Sequence, residues 1–280
     1  MRIGNLSGRL TLFTEQGAVD VERASDGRFD ADPQGIYRRW EEFVDWAATA
    51  PWRGAAVPFA DTQLGPPVPR PGQVFAIALN YRDHAAEASL DLPQTPAVFT
   101  KFVSSFTGPT GDIVLAGPTV DWEVELVAVI GRRAHRIAPE AGWDHVAGLT
   151  VGQDLSERSV QMAGPVPQFS MGKSFPGFSP TGPWLVTPDE FDDRDDLALG
   201  CSINGEAMQK GRTSDLVFSV PALVAKLSAV LPLEPGDVIF TGTPAGVGAG
   251  RNPMRFLAAG EELVSFIEGI GEMHHRLVAA

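Results

Sequence analysis

Val120–Val129 reads VDWEVELVAV, an apolar run that carries two glutamates, Glu123 and Glu125, with one residue between them. With Ile130 and Gly131 it forms the strongest strand signal in the chain. Side chains on a strand alternate between faces. Glu123 and Glu125 therefore share one face with Val127 and Val129, while Trp122, Val124, Leu126, Ala128 and Ile130 share the other. Both faces are largely apolar, which predicts a strand partly buried on each side. Two ionised carboxylates in such a place repel, and a buried, unpaired ion costs several kcal/mol. A divalent cation resolves the conflict, and oxygen-only ligands suit Mg2+, Mn2+ or Ca2+. A solvated edge strand with both glutamates outside fits this stretch equally well when it is taken alone.

Outward from this run the chain is rich in short strands. RIGNL, RLTLF and GAVDVE at the N-terminus read as small strands joined by glycine turns. Ile36, Trp40, Phe43, Val44 and Ala47 then fall at helical spacing behind Asp32 and Pro33, which serve as start signals. FADTQLGPPVPRPGQ is a proline-rich linker, so a boundary is expected near Pro69, with a small N-terminal domain over 1–69 and a larger domain over 70–280. VFAIAL, PAVFTKF and DIVLA read as strands, and NYRDHAAEAS as a turn of helix. APEAGWDHVAGLTVGQDLSERSVQ mixes a helix, a strand and a second short helical segment. LALGCSINGEAMQKG reads as a hairpin turning at Asn204-Gly205, SVPALVAKLSAVL as a helix, and LEPGDVIFTGTPAGVG as a strand with a Gly-rich exit. Strands dominate without regular βαβ alternation, which predicts an α+β, mostly β architecture.

Bulk properties narrow the function. The chain has 280 residues, 44% hydrophobic and 20% charged, as in an ordinary globular protein. Its formal net charge of −13 argues against nucleic-acid and anionic-membrane partners. A small acidic substrate stays compatible, because a bound cation reverses the local field. The single cysteine, Cys201, excludes an intrachain disulfide and thiolate-rich zinc sites. MRIGNLSGRLTLF lacks a signal-peptide pattern, and no window approaches about eighteen apolar residues in a row. A cytoplasmic location is the expectation.

Several stretches can join the glutamate pair. Asp154 follows an apolar strand, and Arg158 and Gln161 share its face if a short helix follows; a helix N-cap is the plainer role for Asp154. His84 and Glu87, three apart in NYRDHAAE, are neighbours on a helical turn, where a carboxylate orients an imidazole for general-base work. A surface pair is the plainer reading. Lys173, in the loop MGKSFPGFSPTGPW, can stabilise an oxyanion or a carboxylate, or can simply be exposed. TGTPAGVG lacks the lysine of a Walker A loop, yet Thr243 and nearby amides can hold a carboxylate.

Taken in order, NYRDHAAE, DWEVEL, GQDLSERSVQ, GKSF…PTGPW and GDVIFTGTPAGVG resemble the fumarylacetoacetate hydrolase superfamily over about residues 70 to 275, in its acylpyruvase and 2-hydroxyhepta-2,4-diene-1,7-dioate isomerase-like branch. The resemblance implies a mixed β-sandwich roll with a small N-terminal domain, usually as a homodimer. It implies Mg2+ or Mn2+ on Glu123, Glu125 and Asp154, and a water-activating His84–Glu87 dyad on a short lid. Lys173 joins the dyad as a catalytic residue; Gln161, Arg158, Thr243 and Tyr81 bind the substrate. The implied activity is metal-dependent hydrolysis of a C–C bond in a 2,4-dioxo acid through an enolate. Decarboxylation or isomerisation of a 2-oxo acid by the same enolate chemistry is the alternative, and a non-catalytic metal- or ligand-binding protein the remote one. The sequence departs from the family pattern around the third ligand. Gln153 stands for Asn, Glu157 for Ala and Ser159 for Asp, and Pro176 and Gly177 follow Phe175 where the family has Asp.

Overall fold

The computed structural model describes residues 1–49, 56–87 and 90–280. Its main sheet runs, edge to edge, through Gly17–Asp20, Arg9–Thr14, Arg2–Leu6, Ser179–Val186, Val146–Gln153, Val124–Ile130, Val238–Phe240, Val74–Ala78 and Ala97–Phe99. Neighbours are antiparallel except Val238–Phe240 with Val74–Ala78. A second sheet orders Glu206–Arg212, Ala198–Ile203, Glu262–Ile267, Gly271–Val278 and Thr110–Val114. The α+β, mostly β reading of the sequence holds.

The strand Val124–Ile130 lies near the centre and is buried along its whole length. Its two faces do different work, as the period-two pattern predicts. Trp122, Val124, Leu126, Ala128 and Ile130 enter one core with Leu199, Ile203, Leu263, Met273 and Leu277 of the second sheet. Val127 and Val129 enter another core with Ile3, Leu12, Ile36, Trp40 and Phe43 of the N-terminal segment. Burying a Leu- or Phe-sized side chain contributes roughly 1.5–3 kcal/mol, so cores on both faces fix this strand firmly in register.

The N-terminal segment extends the main sheet rather than forming its own: Arg2 and Ile3 pair with Val186 and Leu185. We propose the division near Pro69, between a small N-terminal domain over 1–69 and a larger domain over 70–280, as one that the hydrogen-bonded sheet crosses. The helix expected after Pro33 begins as a 3₁₀ turn over Gly35–Arg39 and becomes α-helical over Trp40–Thr49, with Trp40, Phe43 and Ala47 buried. Asn204 and Gly205 take positive φ, 50° and 81°, the pairing a two-residue type I′ hairpin needs. The helical turn in NYRDHAAEAS spans Arg82–Glu87; the Ala88 and Ser89 of that stretch lie outside the described residues.

One local expectation changes. The glutamate run is not a single strand: Val120–Asp121 pairs with Ser156–Glu157, and Val124–Ile130 begins a new ladder. Side-chain oxygens replace the ladder between them. Trp122 N donates to Asp121 Oδ1, Glu123 N to Gln153 Oε1 and Val124 N to Gln209 Oε1. Buried N–H groups need partners, and these three side chains let the ladder open where Glu123 sits.

Candidate active site

At that opening Glu123 and Glu125 meet Asp154, which follows the neighbouring strand Val146–Gln153. Each offers a carboxylate oxygen, and the three oxygens lie within 4.8 Å of one another, all buried. Asp154 N donates to Glu123 O at 2.9 Å, which locks the two ligand-bearing segments together. Glu125 Oε2 accepts from Gly242 N at 2.8 Å. Gly242 has φ +101°, and a Cβ there would stand 2.7 Å from Asn80 Cβ, so the position demands glycine.

Cations ring the carboxylates. Lys173 Nζ donates to Glu123 Oε2 at 2.7 Å, Asp154 Oδ2 at 2.8 Å and Ser156 Oγ at 2.7 Å. Arg158 bridges Glu123 Oε1 at 2.7 Å and Asp121 Oδ2 at 2.8 Å, and its Nη1 donates to Gln161 Oε1. Lys101, 1% exposed, reaches Asp154 Oδ1 at 2.5 Å and also donates to the main-chain oxygen of Lys173. Burial works to raise the Glu123 carboxyl, but Lys173 and Arg158 outweigh it and hold it below the usual range. Among the described residues, no cation forms an ion pair with Glu125. Burial, then Asp154 and Glu123, push its carboxyl well above the usual range.

The donor set fits a hard divalent cation: three oxygens from three side chains, closely spaced, with the remaining coordination positions left for water or ligand. The charges agree. With Glu125 ionised, as metal ligation requires, the four buried carboxylates (Asp121, Glu123, Glu125 and Asp154) exceed the Lys101 and Lys173 ammoniums and the Arg158 guanidinium by one negative charge; without a metal, a proton on Glu125 restores the balance.

The dyad residues also meet. His84 Nδ1 lies 3.0 Å from Glu87 Oε2, and Glu87 Oε1 accepts from Gly246 N at 3.0 Å. A charge on the imidazole would be near enough to favour the ionised form of Glu123. Asn80 anchors the start of this helix by donating to Phe218 O and Thr241 O and accepting from Phe218 N. Tyr81 is fully buried, and its hydroxyl has no hydrogen-bond partner among the described residues. Burial and the Glu125 charge raise its pKa.

Thr243 differs from the other candidates. Its hydroxyl donates to Val124 O and accepts from Gln209 Nε2, so it is already used to hold the strand opening. The departures around Asp154 have structural work. Gln153 joins Glu123 N to Ser265 of the second sheet. Glu157 caps the short helix Arg158–Gln161 by accepting from Val160 N, and it accepts from the Ser159 hydroxyl. Sequence reasoning missed Lys101, Asp121 and Gln209. Lys101 left one signal, a lone cation between Phe99 and Phe102; Asp121 left only its place at the head of DWEVEL.

The family profile described as fumarylacetoacetate (FAA) hydrolase C-terminal matches residues 73–278. The chain is 41% identical over 224 residues to the human mitochondrial oxaloacetate tautomerase FAHD2A, covering 79% of this chain and 71% of that one. A Mycobacterium smegmatis crystal structure, provisionally named HpcE, superposes with a TM-score of 0.95 at 55% identity over 100% of both chains. Maleylpyruvate hydrolase from Sphingobium sp. SYK-6, in complex with manganese(II) and pyruvate, superposes with a TM-score of 0.81 at 29% identity, again over 100% of both chains. The carboxylate cluster, the ordered motifs and these likenesses converge: the chain belongs to the fumarylacetoacetate hydrolase family, in the branch that includes 2-hydroxyhepta-2,4-diene-1,7-dioate isomerases.

Proposed function

We propose that this protein is a divalent-metal-dependent hydrolase that cleaves a C–C bond in a 2,4-dioxo acid of the acylpyruvate type. The observation that carries the proposal is the buried trio Glu123, Glu125 and Asp154 beside Lys173, with a paired His84–Glu87 near it. Glu123, Glu125 and Asp154 would hold Mg2+ or Mn2+, which when bound supplies Lewis acidity toward the oxygens of the substrate's 2-oxo acid end. With a divalent ion present the cluster's charge becomes positive, which suits an anionic ligand. His84, oriented by Glu87, takes a proton from water; the oxygen of that water adds to the 4-oxo carbon. The bond from that carbon to C3 then breaks, its electron pair passes to C3, and a proton returns there. The products are a carboxylic acid and a 2-oxo acid. Lys173 and Arg158 keep Glu123 ionised, Gln161 and Tyr81 offer polar atoms to the substrate, and Thr243, through its main-chain amide, receives its carboxylate. The proposal includes a homodimer in the cytoplasm.

A second reading is favoured by the likeness to oxaloacetate tautomerase: proton movement between C3 and the 2-oxo oxygen, with no water consumed. Product analysis separates the two. Purified protein with Mg2+ is given acylpyruvates and, separately, enol oxaloacetate. Hydrolysis yields the 2-oxo acid and a carboxylic acid in equal amounts; unchanged mass with loss of enol absorbance means tautomerisation. His84→Ala should lower hydrolytic turnover by about 10³-fold, within the usual span for a general base. Full hydrolytic activity in that variant would sink the role given to His84.

A further inference from the structure

We propose that Asp121 is a positioning residue that joins the carboxylate cluster to the seat of the His84–Glu87 helix. The inference rests on the catalytic reading of that dyad. Asp121 is fully buried and does not belong to the trio. Its oxygens are saturated from two directions. On the cluster side, Arg158 donates to Oδ2 from Nε at 2.9 Å and from Nη2 at 2.8 Å, while the same Nη2 holds Glu123 Oε1 at 2.7 Å. On the other side, Gly248 N donates to Oδ1 at 2.7 Å and Ala249 N to Oδ2 at 2.9 Å.

Those two amides belong to the 3₁₀ turn Gly248–Gly250, and this turn is what Glu87 rests on. A Cβ on Gly250 would stand 2.7 Å from Glu87 Cδ, so the glycine permits the close approach. Glu87 Oε1 takes its second bond from Gly246 N. The Gly246 carbonyl is held by the indole Nε1 of Trp122, the residue after Asp121, at 3.1 Å. Asp121 and Trp122 therefore fix both ends of the Gly246–Gly250 seat. Ionised carboxylate bonds to N–H groups are roughly twice as strong as neutral ones. A charge at Asp121 thus holds seat and ligand side in one arrangement, and Glu87 finds its two contacts already in place. The arrangement saves the general base the ordering it would otherwise need.

The test reads the helix itself as well as turnover. Amide hydrogen exchange of residues 82–87 is measured with Mn2+ and oxalate, and Mn2+ affinity is measured with the metal alone. Asp121→Asn keeps the shape and loses the charge. We expect exchange at 82–87 to rise about tenfold or more. Mn2+ binding should weaken about tenfold, the lower end for losing a partner behind a ligand. Gly250→Ala, at the exposed end of that turn, should raise the exchange similarly, lower kcat about tenfold and leave Mn2+ affinity unchanged. The two changes combined should loosen the helix no further than either alone. Wild-type exchange in either variant overturns the proposal, as does additive loosening in the double variant. If Asp121→Asn does not fold, Arg158→Lys replaces it, because lysine keeps the charge but cannot fork between Asp121 and Glu123. None of the exchange or affinity readouts needs turnover, so the two failures are told apart: absence of hydrolysis would sink the proposed function and with it the purpose given to the dyad, while the link from Asp121 to the helix is decided by exchange and Mn2+ affinity alone.

Discussion

The carboxylate cluster and the dyad helix are built by opposite means. Glu123, Glu125 and Asp154 sit where a central strand opens between two cores, and each carboxylate accepts from a buried donor: Lys173 for Glu123 and Asp154, and Gly242 N, just past a sheet strand, for Glu125. His84 and Glu87 ride on a helix of six residues, with side chains 15% and 20% exposed, and they meet the frame through Asn80 at one end and a pair of glycines at the other. On the proposed function, ion binding would be a property of the folded frame, whereas water activation would belong to a small piece that must be seated on it. A break in the first should stop chemistry without loosening the second.

The largest expected effect comes from Glu125→Gln. Because Glu125 is held toward its protonated form, the neutral amide should leave stability within about 1 kcal/mol. Turnover should fall roughly 10⁴-fold, the several kcal/mol a Lewis-acid metal supplies. Calorimetric Mn2+ titration and denaturant melts check both halves, and unchanged Mn2+ affinity would break the comparison. Next comes Lys101→Met, which leaves Asp154 buried without one of its two cations. A loss of about 3 kcal/mol is expected, because breaking a buried pair strands the surviving charge. Urea unfolding reads it, and a loss under about 1 kcal/mol would show that Lys173 alone suffices.

The smallest effect concerns the frame far from the ion. His275 is 1% exposed, its Nε2 lies 3.0 Å from Gly108 O, and its Nδ1 has no partner among the described residues. Burial brings its pKa down to about 4. The unfolded chain therefore binds the extra proton first, near the ordinary imidazole value. The stability tied to neutral His275 is fully present above about pH 6.5, and it is lost as pH falls toward 4. The slope should reach at most about 1.4 kcal/mol per pH unit. His275→Leu should flatten urea-denaturation stability between pH 6.5 and 5 relative to wild type, with or without Mn2+. An unchanged slope would remove His275 from the account.

Much of this was legible in the sequence. The alternation in VDWEVELVAV placed Trp122, Val124 and Leu126 opposite Val127 and Val129, because period two is a local property of the chain. Asp154, Lys173 and the His84–Glu87 spacing were visible as residue types at suggestive offsets, though only their resemblance to a family bound them into one site. What stayed hidden depends on long-range approach. Lys101 reaches Asp154 across 53 positions and Gln209 reaches Val124 across 85. The bond from the Thr243 hydroxyl to Val124 O spans 119 positions and left no mark in the sequence. The strand opening at Trp122–Glu123 was equally invisible, since side-chain oxygens from Gln153 and Gln209 create it.

The parallel pairing of Val74–Ala78 with Val238–Phe240 has a consequence for biosynthesis. Gln73 N, at the head of the first strand, bonds to Asp237 Oδ1, 164 positions later. A ribosome adds about 5–20 residues each second, so the first strand waits roughly 8–30 s for its mate. Long-range pairing of this kind also slows folding once the chain is available. Gly242, which completes the bonding of Glu125, and the Gly246–Gly250 seat leave the ribosome later still. The nascent protein thus carries Glu123, Glu125 and Asp154 long before the residues that complete their surroundings, and any metal the trio holds would be captured after synthesis of this region.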